Sequence, residues 1–220
     1  SVALHAPILA RLAALIVGAA VSALMAAPVA AAEPPGYEHF HTYAEVKADI
    51  DAAVAAHPAI AASFSIGQSH EGREIWGIKI SDNVAADEDE PEVFFNAQIH
   101  ARERVSNEMA MYIIELLTSG YGVDSRITNI VDSREVWIVP TVNPDGAEYD
   151  MSDGTFRRWR KNRQPTPGSA AVGIDLNRQF DFTWACCGGS SGNPWSDRYR
   201  GPSAWFAPEA RAYRDFINSR

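Results

Sequence analysis

The sequence predicts an α/β fold in which a mixed parallel and antiparallel central sheet is flanked by helices. Three observations carry that expectation. Residues 62–66 and 74–80 are alternating or apolar runs joined by a polar turn, Gly67-Gln-Ser-His-Glu-Gly-Arg73, the pattern of an antiparallel pair. Residues 92–98 and 135–142 are short apolar runs, each ending abruptly in polar residues. Between them lies a stretch with apolar residues at helical spacing, and strands that alternate with helices imply a layered, partly parallel sheet.

Taken in order, Thr42 and Glu45 form a T-x-x-E capping box that opens a helix running to about His57, where Pro58 follows. The paired strands 62–66 and 74–80 come next. Asp87 to Glu90 is an acidic run before Pro91, read first as a solvated loop and second as a calcium ligand set. Strand 92–98 stops at Ile99-His100-Ala101-Arg102-Glu103. The helix after it carries Val105, Met109, Tyr112 or Ile113, and Leu116 as its apolar spacing. Strand 135–142 is ended by Asn143-Pro144-Asp145-Gly146, a turn signal. A last helix is expected from Pro208 to Arg220, with Phe206, Ala210, Tyr213 and Ile217 in period. In sheets of this kind, ligands gather beyond the carboxyl ends of the strands.

Charge and composition narrow the function. Arg11 is the only Lys or Arg among residues 1–32, so the remainder holds 18 basic against 28 acidic residues, a net charge of about −10. No basic stripe marks a nucleic-acid or anionic-membrane binder. With 46% apolar residues the chain is not a disordered one. Residues 1–32 pair Arg11 with an apolar run and end in Ala30-Ala31-Ala32, the pattern of a secretory signal peptide with a small-residue cleavage site. An uncleaved anchor is the alternative, and export follows either way. The expected organisation is residues 1–32 as signal and 33–220 as one domain. Adjacent Cys186 and Cys187 leave three outcomes open: a vicinal disulfide, two thiols, or pairing outside the chain.

Two polar clusters follow the buried strands, His100-Ala101-Arg102-Glu103 after one and Asn143-Pro144-Asp145-Gly146 after the other. His100 and Glu103, at i and i+3, are both zinc ligand types that converge on one ion from a loop or first helical turn. Residues 155–163, Thr-Phe-Arg-Arg-Trp-Arg-Lys-Asn-Arg, place five cations in an otherwise acidic protein. Such arginines grip a carboxylate or steady an oxyanion; the plainer reading is a solvated turn.

The order His100-Ala-Arg-Glu103, Asn143-Pro-Asp-Gly146, Trp159-Arg160-Lys-Asn-Arg163, Gly173-Ile-Asp-Leu-Asn177-Arg178 and Tyr199-Arg-Gly-Pro202 resembles the zinc metallocarboxypeptidases of the carboxypeptidase A and T type. His41-Thr-Tyr-Ala-Glu45 and Ile66-Gly-Gln-Ser-His-Glu-Gly-Arg73 resemble the start of the same catalytic domain. The resemblance covers residues 38–220. It implies one zinc ion held in part by His100 and Glu103, with Arg160 polarising the scissile carbonyl. It further implies Asn177, Arg178 and Arg102 as substrate-binding residues, the first two gripping the C-terminal carboxylate. The implied partner is a peptide or protein with a free C-terminus, acted on by a secreted monomer without nucleic-acid or stable membrane partners.

The departures are as informative. Arg104 and Ile99 flank the ligand motif, and Gln179-Phe180 stands where Asn-Trp is common in the family. His100 is the last histidine, whereas the family pattern places a third ligand His, a capping Tyr and a general-base Glu further downstream. The expectation is therefore a C-terminally truncated catalytic domain that is inactive as it stands. The alternatives are a secreted peptide-binding member without catalysis and a hydrolase of cell-wall peptides.

Overall fold

The computed structural model describes residues 40–220; the expected signal segment and the 33–39 stretch lie outside the described residues. Helix α1 (Tyr43–Ala56) precedes the antiparallel strands β1 (Ala61–Gln68) and β2 (Glu74–Ile80). Strand β3 (Glu92–Asn96), helices α2 (Arg104–Gly120) and α3 (Ser125–Val131), and strand β4 (Glu135–Val139) follow. Helix α4 (Pro144–Met151), a 3-10 turn at Leu176–Arg178 and helix α5 (Pro208–Asn218) complete the order. The sheet runs β1-β2-β4-β3, with β4 antiparallel to β2 and parallel to β3. The expected mixed sheet is thus observed.

Alternation along β4 sorts the layers. Val136 and Ile138 face a core shared with Val46 and Ile50 of α1 and Ala110, Met111, Ile114 and Leu117 of α2. Trp137 and Val139 face the other way, where Phe64, Phe94, Tyr213 and Phe216 bring α5 onto the sheet. The result is helices, sheet, helix in three layers. Among the described residues no helix is long and apolar enough to cross a membrane.

The capping box is present in full: Thr42 accepts from the Glu45 amide and the Glu45 carboxylate accepts from the Thr42 amide. Helix α2 is where expected but turned. Val105, Met109, Tyr112 and Leu116 are exposed, and the buried face carries Asn107, Ala110, Met111, Ile114, Leu117 and Thr118. Asn107 tethers the helix by donating to the Pro140 carbonyl and to Thr141 Oγ1. Asn-Pro-Asp-Gly is likewise not a free turn but the start of α4. Asn143 caps it, accepting from the Gly146 amide, and Pro144 sits where its fixed φ suits the first helical position.

Candidate metal and carboxylate site

The carboxyl ends of β3 and β4 are bound together by buried polar groups. Asn143 donates to the carbonyls of Ile99 and Lys161, 3.2 and 3.1 Å away. A Cβ on Gly146 would lie 2.5 Å from that Lys161 oxygen, so the approach of the two segments requires glycine. Asn162 accepts from the Ile174 amide and donates to Glu209 of α5, whose other oxygen accepts from the His70 amide. Buried Asp145 takes Ser69, the Glu71 amide and Arg73, which fixes the β1–β2 turn against α4.

Within this frame His100 is buried. Its Nε2 lies 3.1 Å from Asp175 Oδ1 and its Nδ1 lies 3.0 Å from Glu103 Oε2. The turn that brings Glu103 back is closed by the Glu103 amide donating to the His100 carbonyl. Arg160 Nε donates to Asp175 Oδ2 at 3.1 Å, and its Nη1 is 3.7 Å from Glu103 Oε1. Asp175 therefore holds both His100 and Arg160. Burial alone would raise its carboxyl, but the hydrogen bond from His100 and the Arg160 charge keep it below the usual carboxylate range.

The donor chemistry fits a zinc ion. With Nε2 engaged by Asp175, the Nδ1 lone pair and a carboxylate oxygen converge, an N and O pair that zinc accepts, backed by a carboxylate on the second imidazole nitrogen. The other expected residues are arranged around this pair. Asn177 and Arg178 occupy the 3-10 turn that Asp175 caps by accepting from the Asn177 amide. Arg178 Nε donates to the Gly189 carbonyl at 2.8 Å. Arg102 lies to one side, bonded to the Arg158 carbonyl and to Asp197. The basic run is not a solvated turn: Arg163 stacks 3.5 Å from the Tyr149 ring centre, and buried Lys161 donates to the Pro194 carbonyl.

Asp175 was not singled out by sequence, although it stands inside the Gly-Ile-Asp-Leu-Asn-Arg motif; its position two residues before Asn177 was the available signal. Cys186 and Cys187 form the vicinal disulfide, one of the three outcomes left open. At the amino ends of β3 and β4 the acidic run is not simply solvated. Asp82, Glu88 and Glu90 form one group of carboxylates, and Asp87, Glu92 and Glu135 another, with ligand atoms within 4.8 Å of one another in each. These are, among the described residues, the only groups of three or more potential metal donors that close together, and neither includes His100 or Glu103.

An open mixed sheet with this site at its strand ends has close counterparts. This chain superposes on thrombin activatable fibrinolysis inhibitor with a TM-score of 0.76 at 30% identity, over 83% of this chain and 45% of that one. Carboxypeptidase A of Helicoverpa armigera gives 0.73 at 32% identity, over 82% and 42%. In sequence, a zinc carboxypeptidase of Saccharothrix mutabilis subsp. capreolus is 49% identical over 155 residues, 70% of this chain and 35% of its own length. Carboxypeptidase A2 of Rattus norvegicus is 36% identical over 183 residues, 83% and 42%. The zinc carboxypeptidase family model matches residues 46–220. The chain belongs to the zinc carboxypeptidase family, and it spans less than half the length of these relatives.

Proposed function

We propose that this chain carries the carboxylate-recognising and part of the metal-binding side of a metallocarboxypeptidase that hydrolyses the C-terminal peptide bond of peptides and proteins. The observation that carries the reading is the Asp175 clamp, which sets the His100 imidazole and the Arg160 guanidinium around one buried carboxylate. His100 Nδ1 and Glu103 would hold a single zinc ion, which when bound supplies Lewis-acid polarisation of a carbonyl and a more acidic water. Arg160, fixed through Nε, keeps its remaining N–H groups for the scissile carbonyl oxygen. Asn177 and Arg178 lie one turn away and orient the substrate by its terminal carboxylate, with Arg102 contacting the chain before it. Two protein ligands fall short of the three usual at catalytic zinc, so this chain alone is expected to hold zinc weakly and turn over little. The pattern of residues 1–32 supports export.

The test is binding of a short peptide with a free C-terminus against the same peptide amidated, with zinc affinity measured in parallel. Preference for the free acid that disappears in Arg178→Ala, together with zinc binding that disappears in His100→Ala, supports the reading. Equal binding of acid and amide sinks it.

A further inference from the structure

Residues 181–190 form an exposed loop beside the 3-10 turn that bears Asn177 and Arg178, and the two segments line a shared cavity of about 240 Å³. The loop is built against the backbone's preference. Thr183, Ala185 and Cys187 all lie at positive φ, 53°, 63° and 66°, where side chains are disfavoured and a β-branched residue most of all. Such a conformation persists only when its surroundings impose it. Within the loop the Trp184 amide donates to Asp181 and the Cys186 amide to Thr183. Its covalent fastener is the Cys186–Cys187 disulfide. Arg200 lies over the Trp184 ring, and Arg178 Nε is bonded to the Gly189 carbonyl, two residues beyond Cys187. Arg178 Nη1 also donates to the Asn177 carbonyl at 2.7 Å, so the loop supplies one of the two anchors that orient the guanidinium.

We propose that the Cys186–Cys187 disulfide is a redox latch on the loop that holds Arg178, so that its reduction by a dithiol loosens the carboxylate-binding side of the site. The inference rests on the reading of Arg178 given above. Both cysteines are exposed, so an incoming thiolate reaches either sulfur. Their Cα atoms stand 3.8 Å apart, closer than disulfides ordinarily bridge, which favours reduction. The reaction breaks the S–S bond and forms two S–H bonds; two electrons and two protons come from the dithiol, which closes to its own disulfide. Once open, the eight-membered ring that holds the Cys186–Cys187 peptide is gone, Cys187 can leave its left-handed φ, and the Gly189 carbonyl two residues on shifts away from Arg178.

The chain has two cysteines in all, so thiol titration reports this pair alone. The experiment uses the metal-free full chain and measures binding of N-acetyl-phenylalanine and its amide by calorimetry, before and after dithiothreitol. Oxidised protein should prefer the acid. After two thiols per chain are counted, that preference should fall by about fivefold or more, the lower end of ordinary coupling between sites. The double variant Cys186→Ser, Cys187→Ser should show the reduced preference from the outset and ignore dithiothreitol. An unchanged preference in fully reduced wild-type protein overturns the latch while leaving the Arg178 reading intact. A response of the serine variant equal to that of wild type also overturns it. Should oxidised protein show no preference for the acid, the carboxylate reading fails and the latch with it. If the serine variant does not fold, the oxidised and reduced wild-type states decide alone.

Discussion

At the carboxyl ends of β3 and β4 the buried charges face partners: His100 and Arg160 share Asp175, and Asn162 and the His70 amide share Glu209. At the amino ends of the same two strands, carboxylates face carboxylates. Glu135 is fully buried with Oε1 held by Lys79 and the Glu88 amide, while Oε2 of Glu135, Glu88 and Glu90 has no partner. Burial, then the neighbouring Glu88, Asp82 and Glu135, push the Glu90 carboxyl above its usual value. One pair of parallel strands thus ends in a preorganised cation and anion framework and begins in an excess of carboxylates, where Lys79 meets Glu135 and Arg220 meets Asp87 but Glu88 and Glu90 have no cation among the described residues. The contrast shows that burial of charge alone does not mark a finished site; the partners do.

Breaking the paired end should have the largest effect. Asp175→Ala leaves His100 and Arg160 without their shared carboxylate, and unfolding stability should drop by about 3–5 kcal/mol in urea titrations. Asp175→Asn keeps the shape, and zinc affinity by chelator competition should fall about 10–100-fold, the usual cost of losing a carboxylate behind a ligand histidine. Stability and zinc affinity both near wild type would show that the clamp is incidental. Next, Gly146→Ala should cost about 1–3 kcal/mol, because its Cβ meets the Lys161 carbonyl and the Asn143 side chain; a neutral result would mean that the two segments can part.

Smaller effects test the charges themselves. Burial raises the Glu209 carboxyl despite its hydrogen bonds from Asn162 and His70. A raised folded value means that Glu209 favours the fold most at low pH and less as pH climbs from about 4.5 through that folded value. Thermal unfolding of Glu209→Gln against wild type should therefore show the variant gaining relative stability as pH rises; parallel curves would contradict this. At the acidic end, Glu90→Gln should raise Tm modestly by easing repulsion. Millimolar calcium, which takes carboxylate oxygens, should raise the wild-type Tm and raise that of the variant less. Equal calcium responses would show that these carboxylates do not share a cation.

Much of this was legible in the sequence where the signal is local. The Thr42 capping box, the strands β1 to β4 and the convergence of His100 with Glu103 each depend on residues a few positions apart. The boundaries were less so: β3 ends at Asn96 and β4 at Val139, because the positive φ of Gln98 breaks the first run and Pro140 follows the second. The face of α2 is ambiguous in sequence because Val105, Met109, Tyr112 and Leu116 form one apolar stripe and Met111, Ile114 and Leu117 another, and the buried one is interrupted by the polar Asn107 and Thr118. Helix α3, only seven residues, has no period long enough to read; its Asp124 cap was the one local sign. Asp175 is harder to read, because its only local sign is its place two residues before Asn177 and its partners His100 and Arg160 lie 75 and 15 residues away.

The parallel register pairs Glu92 with Glu135 at one extreme and Asn96 with Val139 at the other. Like charges set opposite each other weaken a ladder locally, while the far end is tied by the Ala97 and Val139 backbone and the Asn143 bonds. The ladder is therefore graded in time as well as in charge. Amide exchange within this strand pair is expected to run from Glu92 inward, with the amides at the His100 end protected longest.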